Sequence, residues 1–429
     1  MDSEFPIYPY LVALLWKLFG VHDGWGRFVS VLGSLGTIYF LYALTRKYLG
    51  GATALWAAFV YAILPLNVYY GRTFMPHSLV LCFTGGGVYF FSEWLERRTR
   101  TMFLLSASLV ALATLMNPTT LVIGLPLAYL SSLSIGRGWA RASSLWLYAT
   151  VVIVPAILWY GYSRVALYSP GLSIGIWEFG SDKWGNFALL ASPKFYNDVF
   201  FKNIAERHLT YAAAIPFVAG LLLKEKRPEE RVFAWWLLAI VIFFFVVPRG
   251  NEVHEYYQLP FILPAVVYVG KTFAAYVTPA VGEARVVGEA PAAGRSLRWF
   301  FSVCLLAILP LSFARYRESF ARREAPHSPI ANLAEEIGAV TGPRDLIVTV
   351  SGGDAVVLYR SHRKGWVVSP DGLDLAYVEA KRVHGAKYVA GLKSSFDTEE
   401  RRARLSAFVR GFPPVAETRE YFLMKVDRQ

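Results

Sequence analysis

Runs of about 20 apolar residues recur along the first three-quarters of the chain. A bilayer interior offers no water to backbone N–H and C=O groups, so runs of this length can cross it only as helices. They fall at 26–48, 53–70, 77–95, 102–116, 119–135, 144–162, 209–224, 232–248, 259–277 and 298–315. The fourth and fifth are short and joined by MNPTT, which leaves two spans or one re-entrant pair with the same parity. IYPYLVALLWKLFG (7–20) is too short to cross and carries Lys17, as suits an amphipathic helix lying along the interface. The expected fold class is a polytopic α-helical membrane protein with about ten transmembrane helices plus an interfacial helix.

Composition agrees. Charged residues make up 17% of the chain, against about 25% in soluble globular proteins, and aromatics 16%. The net charge of +12 is therefore read as basic loops against an anionic leaflet, not as a nucleic-acid surface. Cys82 and Cys304 lie inside apolar runs and argue for neither a disulfide framework nor a metal site.

The short loops set the orientation. Arg46 and Lys47, the Arg97–Arg100 loop, Arg137 and Arg141, the 224–231 loop, and Arg285, Arg295 and Arg298 all fall in one alternating set. The other set holds only Arg72 and Arg249. The first set is expected to be cytoplasmic and the second extracytoplasmic. The tail is expected to follow on the outer side of the cell (plasma or inner) membrane, giving domains at 1–316 and 317–429. In it DLIVTV (345–350), GWVV (365–368), KYVAGL (387–392) and YFLMKV (421–426) read as short strands alternating with helical stretches. That pattern predicts a small α/β domain with a mostly parallel sheet. SGGD (351–354) is read as a tight turn rather than an anion site, and 277–296 as a mobile cytoplasmic linker.

The densest polar island of the outer set is PRGNEVHEYYQLP (248–260), between two nearly uncharged segments. A bare turn does not need a cation, carboxylates, an imidazole and phenols together. Such a cluster at the membrane surface is suited to handling a lipid head group.

Several stretches resemble the GT-C type membrane glycosyltransferases, such as the protein O-mannosyltransferases and the aminoarabinose transferase of lipid A. EFPIYPY (4–10), KLFG (17–20) and Arg27 are similar to that family's first outer segment and the start of the next span. YYGRTFMPHSLVL (69–81) resembles its second outer motif, HEYYQLPFILP (254–264) its late outer loop, and YRSHRKGW (359–366) a stretch of its tail domain. There are two departures. The family's first helix and acidic loop, which carries its base, have no counterpart, so an upstream span is expected to be missing. Asp2 and Glu4 are the nearest carboxylates, on what reads as an unanchored end. His77 stands where the second motif usually has an acid.

The resemblance implies transfer of a sugar from a polyprenyl-phosphate donor, of the dolichyl or undecaprenyl type, to a protein, lipid or glycan acceptor. That chemistry needs a base for the acceptor proton, cations for the departing phosphate, and apolar helices for the isoprenoid. Glu4, His77, His254 and Glu255 are the candidate bases. Arg27, Arg72 and Arg249, with Lys183, are the candidate phosphate ligands, and Tyr256, Tyr257 and Gln258 candidate substrate contacts. No ligand spacing supports a divalent metal, and no other cofactor is implied. The alternatives are a non-catalytic binder of polyprenyl-linked sugars, or a lipid flippase or transporter. Against the transporter reading, the span interiors are nearly free of charge and the halves show no internal repeat.

Overall fold

The computed structural model describes residues 4–168, 184–278, 295–320, 328–351 and 354–427. Asp2, Lys183, Gly352, Gly353 and nearly all of the 277–296 linker lie outside them. The chain divides into two units, Met1–Ala321 and Arg322–Gln429.

The first unit is helical. The interfacial helix α1 (Ile7–Phe19) is followed by α2 (Asp23–Leu49), which ends at Gly50 with φ +87°. That left-handed residue lets α3 (Gly51–Ile63) start at once in a new direction. The run expected at 53–70 is broken: Pro65 lacks the N–H that would continue the helix and opens α4 (Pro65–Tyr70). Then come α5 (His77–Arg97) and α6 (Arg100–Met116). Beyond the turn at Asn117, a 3-10 stretch leads into α7 (Gly124–Ile135), and α8 (Ser143–Tyr162) follows.

After residue 184 the chain passes through α9 (Asn197–His208), which is wound as a π-helix. It continues with α10 (Ala214–Leu222), α11 (Val232–Val246), α12 (Pro248–Val253), α13 (Ile262–Tyr276) and α14 (Arg295–Phe320). Pro248 ends the α11 run as Pro65 ends α3. Five helical runs among the described residues are long and apolar enough to cross a bilayer: Asp23–Leu49, Pro118–Arg141, Ser143–Ala166, Glu255–Tyr276 and Arg295–Phe320. Helix α13 is the hub, with Ile262 to Phe273 all buried.

Where the basic loops meet the bundle, carboxylates neutralise part of their charge. Glu93 accepts from Lys47 at 2.8 Å and from Arg97 at 2.7 Å. Arg227 donates to the Tyr48 carbonyl and pairs with buried Glu230.

The second unit is a five-stranded sheet ordered β2-β1-β3-β5-β4, with β1 (Leu346–Val350), β2 (Lys364–Val368), β3 (Ala386–Leu392), β4 (Pro414–Glu417) and β5 (Tyr421–Lys425). The first three strands are parallel, but β5 pairs antiparallel with both β3 and β4. The sheet is therefore mixed, and β4 had no apolar run to announce it. The YRSHRKGW stretch is structural: Arg363 donates to the Gly338 and Thr341 carbonyls at the C-terminal end of α15 (Pro329–Val340). Of SGGD, Asp354 accepts from the Val356 amide at 2.8 Å, and the two glycines lie outside the described residues.

Candidate active site

The polar island folds onto itself. Pro248 opens α12, and after His254 the chain tightens into a 3-10 turn over Glu255–Phe261. Gln258 is fully buried and donates to the Asn251 carbonyl, while Asn251 donates to the Val247 carbonyl at 2.9 Å. Gln258 thus pins the turn from inside and does not face a substrate, contrary to its sequence reading.

Pinning the turn aligns its rings. His77 stacks on Tyr256 (centroids 4.9 Å apart, planes 21°), and Tyr256 on His254 (5.0 Å, 23°). His254 lies against Tyr257 (5.9 Å, 21°), which is parallel to Phe243 (6.5 Å, 2°). His77, from the α4–α5 region, and His254, from the island, therefore share one aromatic column. Its neighbour is a cleft of about 370 Å³ lined by Tyr70, Arg207, Val253, His254, Glu255, Tyr256, Ser319 and Phe320. Phe320, at the end of α14, stacks on Tyr69 at 4.1 Å and closes one wall.

Among the described residues, the cleft is lined by one carboxylate, Glu255, and one guanidinium, Arg207, paired at 2.7 Å. The second Glu255 oxygen lies 3.4 Å from the Tyr70 hydroxyl. The Glu255 carbonyl meets His208 Nε2 at 3.3 Å, so α9 holds both the backbone and the carboxylate of this residue. Arg72 hydrogen-bonds the Tyr316 hydroxyl, and its guanidinium lies 5.2 Å from that ring's centre. Its charge has a neutral partner, and Tyr316 is one helical turn from the cleft wall.

The other candidates are distributed as follows. Glu4 is not on a loose end: the Phe5 amide donates to the Leu115 carbonyl at 3.1 Å, and the Phe5 ring packs edge-on against Trp159. Arg249 does not line the cleft but pairs with Glu252, which also accepts from Lys194 at 2.7 Å. Arg27 is exposed on α2 and outside the cleft lining. Tyr257 is in the column but not in the lining. Among the described residues no three His, Cys, Asp or Glu side chains come together as a metal site would require.

Arg207 and His208 were missed by sequence reading. They sit in the long segment from 164 to 208, read as an outer loop, whose local signal is its polarity. His208 is fully buried, and its Nδ1 has no hydrogen-bond partner among the described residues. Burial pushes this imidazole down to about 4, helped by the Arg207 charge and opposed by its contact with the Glu255 carbonyl. The unfolded chain takes up this proton as pH falls through about 6.5, and the folded chain only near 4. Stability from neutral His208 is complete above 6.5 and declines across that window, by up to roughly 3 kcal/mol. The melting temperature should fall from pH 7 to 5, and His208→Gln should flatten that slope. An unchanged slope in the variant would exclude His208 as its source.

The long apolar helices are those of an integral membrane protein, and the fold is shared with ArnT and with an archaeal oligosaccharyltransferase. Residues 3–160 match the family model described as dolichyl-phosphate-mannose-protein mannosyltransferase. ArnT from Cupriavidus metallidurans, bound to undecaprenyl phosphate, superposes with a TM-score of 0.66 at 13% identity, over 99% of this chain and 88% of that one. The Archaeoglobus fulgidus oligosaccharyltransferase, in complex with Zn and sulfate, superposes with 0.57 at 14% identity, over 94% and 61%. The oligosaccharyltransferase AglB of the same organism, with an inhibitory peptide and a dolichol-phosphate, gives 0.57 at 14%, over 91% and 61%. No curated protein sequence matches the chain with significance.

Proposed function

We propose that the chain transfers a sugar from a polyprenyl-phosphate donor to a hydroxyl or amine acceptor on the outer membrane face, in the cleft between α9, the 248–261 turn and the end of α14. The observation that carries this reading is that a carboxylate, Glu255, and a cation, Arg207, line one cleft beside an aromatic wall. Glu255 takes the acceptor proton. Arg207 and, at the rim, Arg72 hold the phosphate, for which the guanidinium fork is suited. Tyr256 and His254 present flat faces to the sugar. His77 backs Tyr256 in the aromatic wall; Glu4, Arg249 and Arg27 are left to other roles. The GT-C fold and the lipid phosphates bound by ArnT and AglB support the donor class.

The direct test is a transfer assay with polyprenyl-phosphate sugars on the purified protein. Release of polyprenyl phosphate without glycosylated acceptor, or no turnover with any such donor, would refute the reading. Sidedness is tested separately. Val253 is 54% exposed in the cleft, so Val253→Cys should react with an impermeant thiol reagent added outside the cell. Arg100→Cys should not, because its loop belongs to the basic set. The C-terminal unit should label with Val253→Cys. The reverse pattern would put the cleft on the cytoplasmic face.

A further inference from the structure

We propose that Arg207 and Glu255 exchange partners during turnover: the arriving donor phosphate takes Arg207 from Glu255, and the released carboxylate becomes the base. The inference rests on the cleft being the donor site. In the resting chain each group blocks the other. Arg207 donates to Glu255 Oε2 at 2.7 Å, so the oxygen needed for a proton is occupied by a cation. The same contact takes Arg207 Nη1, one arm of the fork that a phosphate would engage.

The two partners are not equally free to move. The Arg207 side chain is 48% exposed and that of Glu255 17%. The Glu255 backbone is held through its carbonyl by His208, and its second oxygen has the Tyr70 hydroxyl at 3.4 Å. Arg207 can therefore swing to a ligand in the cleft while Glu255 stays in place. A phosphate offers the guanidinium fork two oxygens, and it gains negative charge as the sugar leaves.

In the step that follows, an acceptor oxygen lone pair forms the bond to the anomeric carbon. The bond from that carbon to the phosphate oxygen breaks, and its electron pair leaves with the phosphate. The acceptor proton moves to Glu255, and Arg207 holds the polyprenyl monophosphate. When the lipid departs, Glu255 loses its proton to water and the resting pair re-forms. The base is thus available only when donor is bound.

The test uses the full chain in lipid nanodiscs with undecaprenyl phosphate as the probe. Glu255→Gln removes the competing carboxylate and should tighten binding by up to about fivefold. Arg207→Gln should weaken binding by a similar factor, and adding Glu255→Gln to it should restore none of the tightening. Equal or weaker binding by Glu255→Gln, with Arg207→Gln still weakened, would overturn the exchange and leave the donor site standing. Equal binding by wild type and all three variants would instead remove the donor-site reading, and the exchange with it. Should Glu255→Gln not fold, chemical labelling of wild type decides. Undecaprenyl phosphate should protect Arg207 from phenylglyoxal and increase carbodiimide labelling of Glu255. Protection of both residues together would overturn the exchange.

Discussion

Glu255→Gln is expected to lower kcat for sugar transfer by about 10²–10⁴-fold in a chain that still folds. In the proposed reaction the departing group is a phosphate whose charge Arg207 and Arg72 would hold, so the step most in need of help is removal of the acceptor proton. The amide keeps the size of the carboxylate and its place beside Tyr70 but cannot take that proton. Loss of the ion pair with Arg207 does not account for such a change. The pair is partly exposed, and pairs of that kind contribute about 0–1 kcal/mol, far less than the roughly 3–5 kcal/mol that a 10²–10⁴-fold loss represents. Measuring kcat and KM for Glu255→Gln, His254→Ala and Glu4→Gln side by side separates the candidate bases. Full activity in Glu255→Gln, with collapse in either other variant, would move the base to that residue.

Gly220→Leu is expected to disrupt the bundle around the site, at a cost of roughly 3 kcal/mol or more. Helix α10 packs on α13 at contact distance. A Cβ at Gly220 would lie 2.0 Å from the Tyr268 carbonyl oxygen and 2.7 Å from its carbon. One turn away, Thr272 donates to the Pro216 carbonyl at 2.6 Å, so Pro216 and Gly220 face Tyr268 and Thr272 as a matched pair. Without a hydrophobic drive between helices in lipid, small residues that allow such an approach supply the packing energy. The obstacle is backbone, which has no rotamer to yield, so α10 must move from α13. The 254–261 turn runs directly into α13, and the cleft should lose its shape with it. Thermal unfolding of the detergent-solubilised protein, with undecaprenyl phosphate binding measured alongside, checks this. A wild-type melting temperature would show that the helices can separate freely.

Some of this was legible in the residues. The apolar runs fix helices because lipid gives the backbone no other partner, so α2, α8, α13 and α14 lie where hydrophobicity alone places them. The strands β1, β2, β3 and β5 were similarly announced by short apolar, partly β-branched runs between turn residues. His254, Glu255 and Tyr256 stood out because charge and aromatic groups were concentrated between two greasy segments, and they do line the cleft.

Direction and partner were another matter. Nothing in PRGNEVHEYYQLP distinguishes Gln258, which turns inward to hold Asn251, from Tyr256, which faces the cleft. Arg249 has the same local character as Arg207, yet Glu252 engages the first and Glu255 the second. Arg207 lies 48 residues from Glu255, and only the packing of α9 against the 255–261 turn brings them together. Hydrophobic burial is non-directional and scales with area, so it can be read along a chain one run at a time. A hydrogen bond or ion pair depends on distances of a few ångströms between groups far apart in sequence, and those distances exist only once the helices have packed.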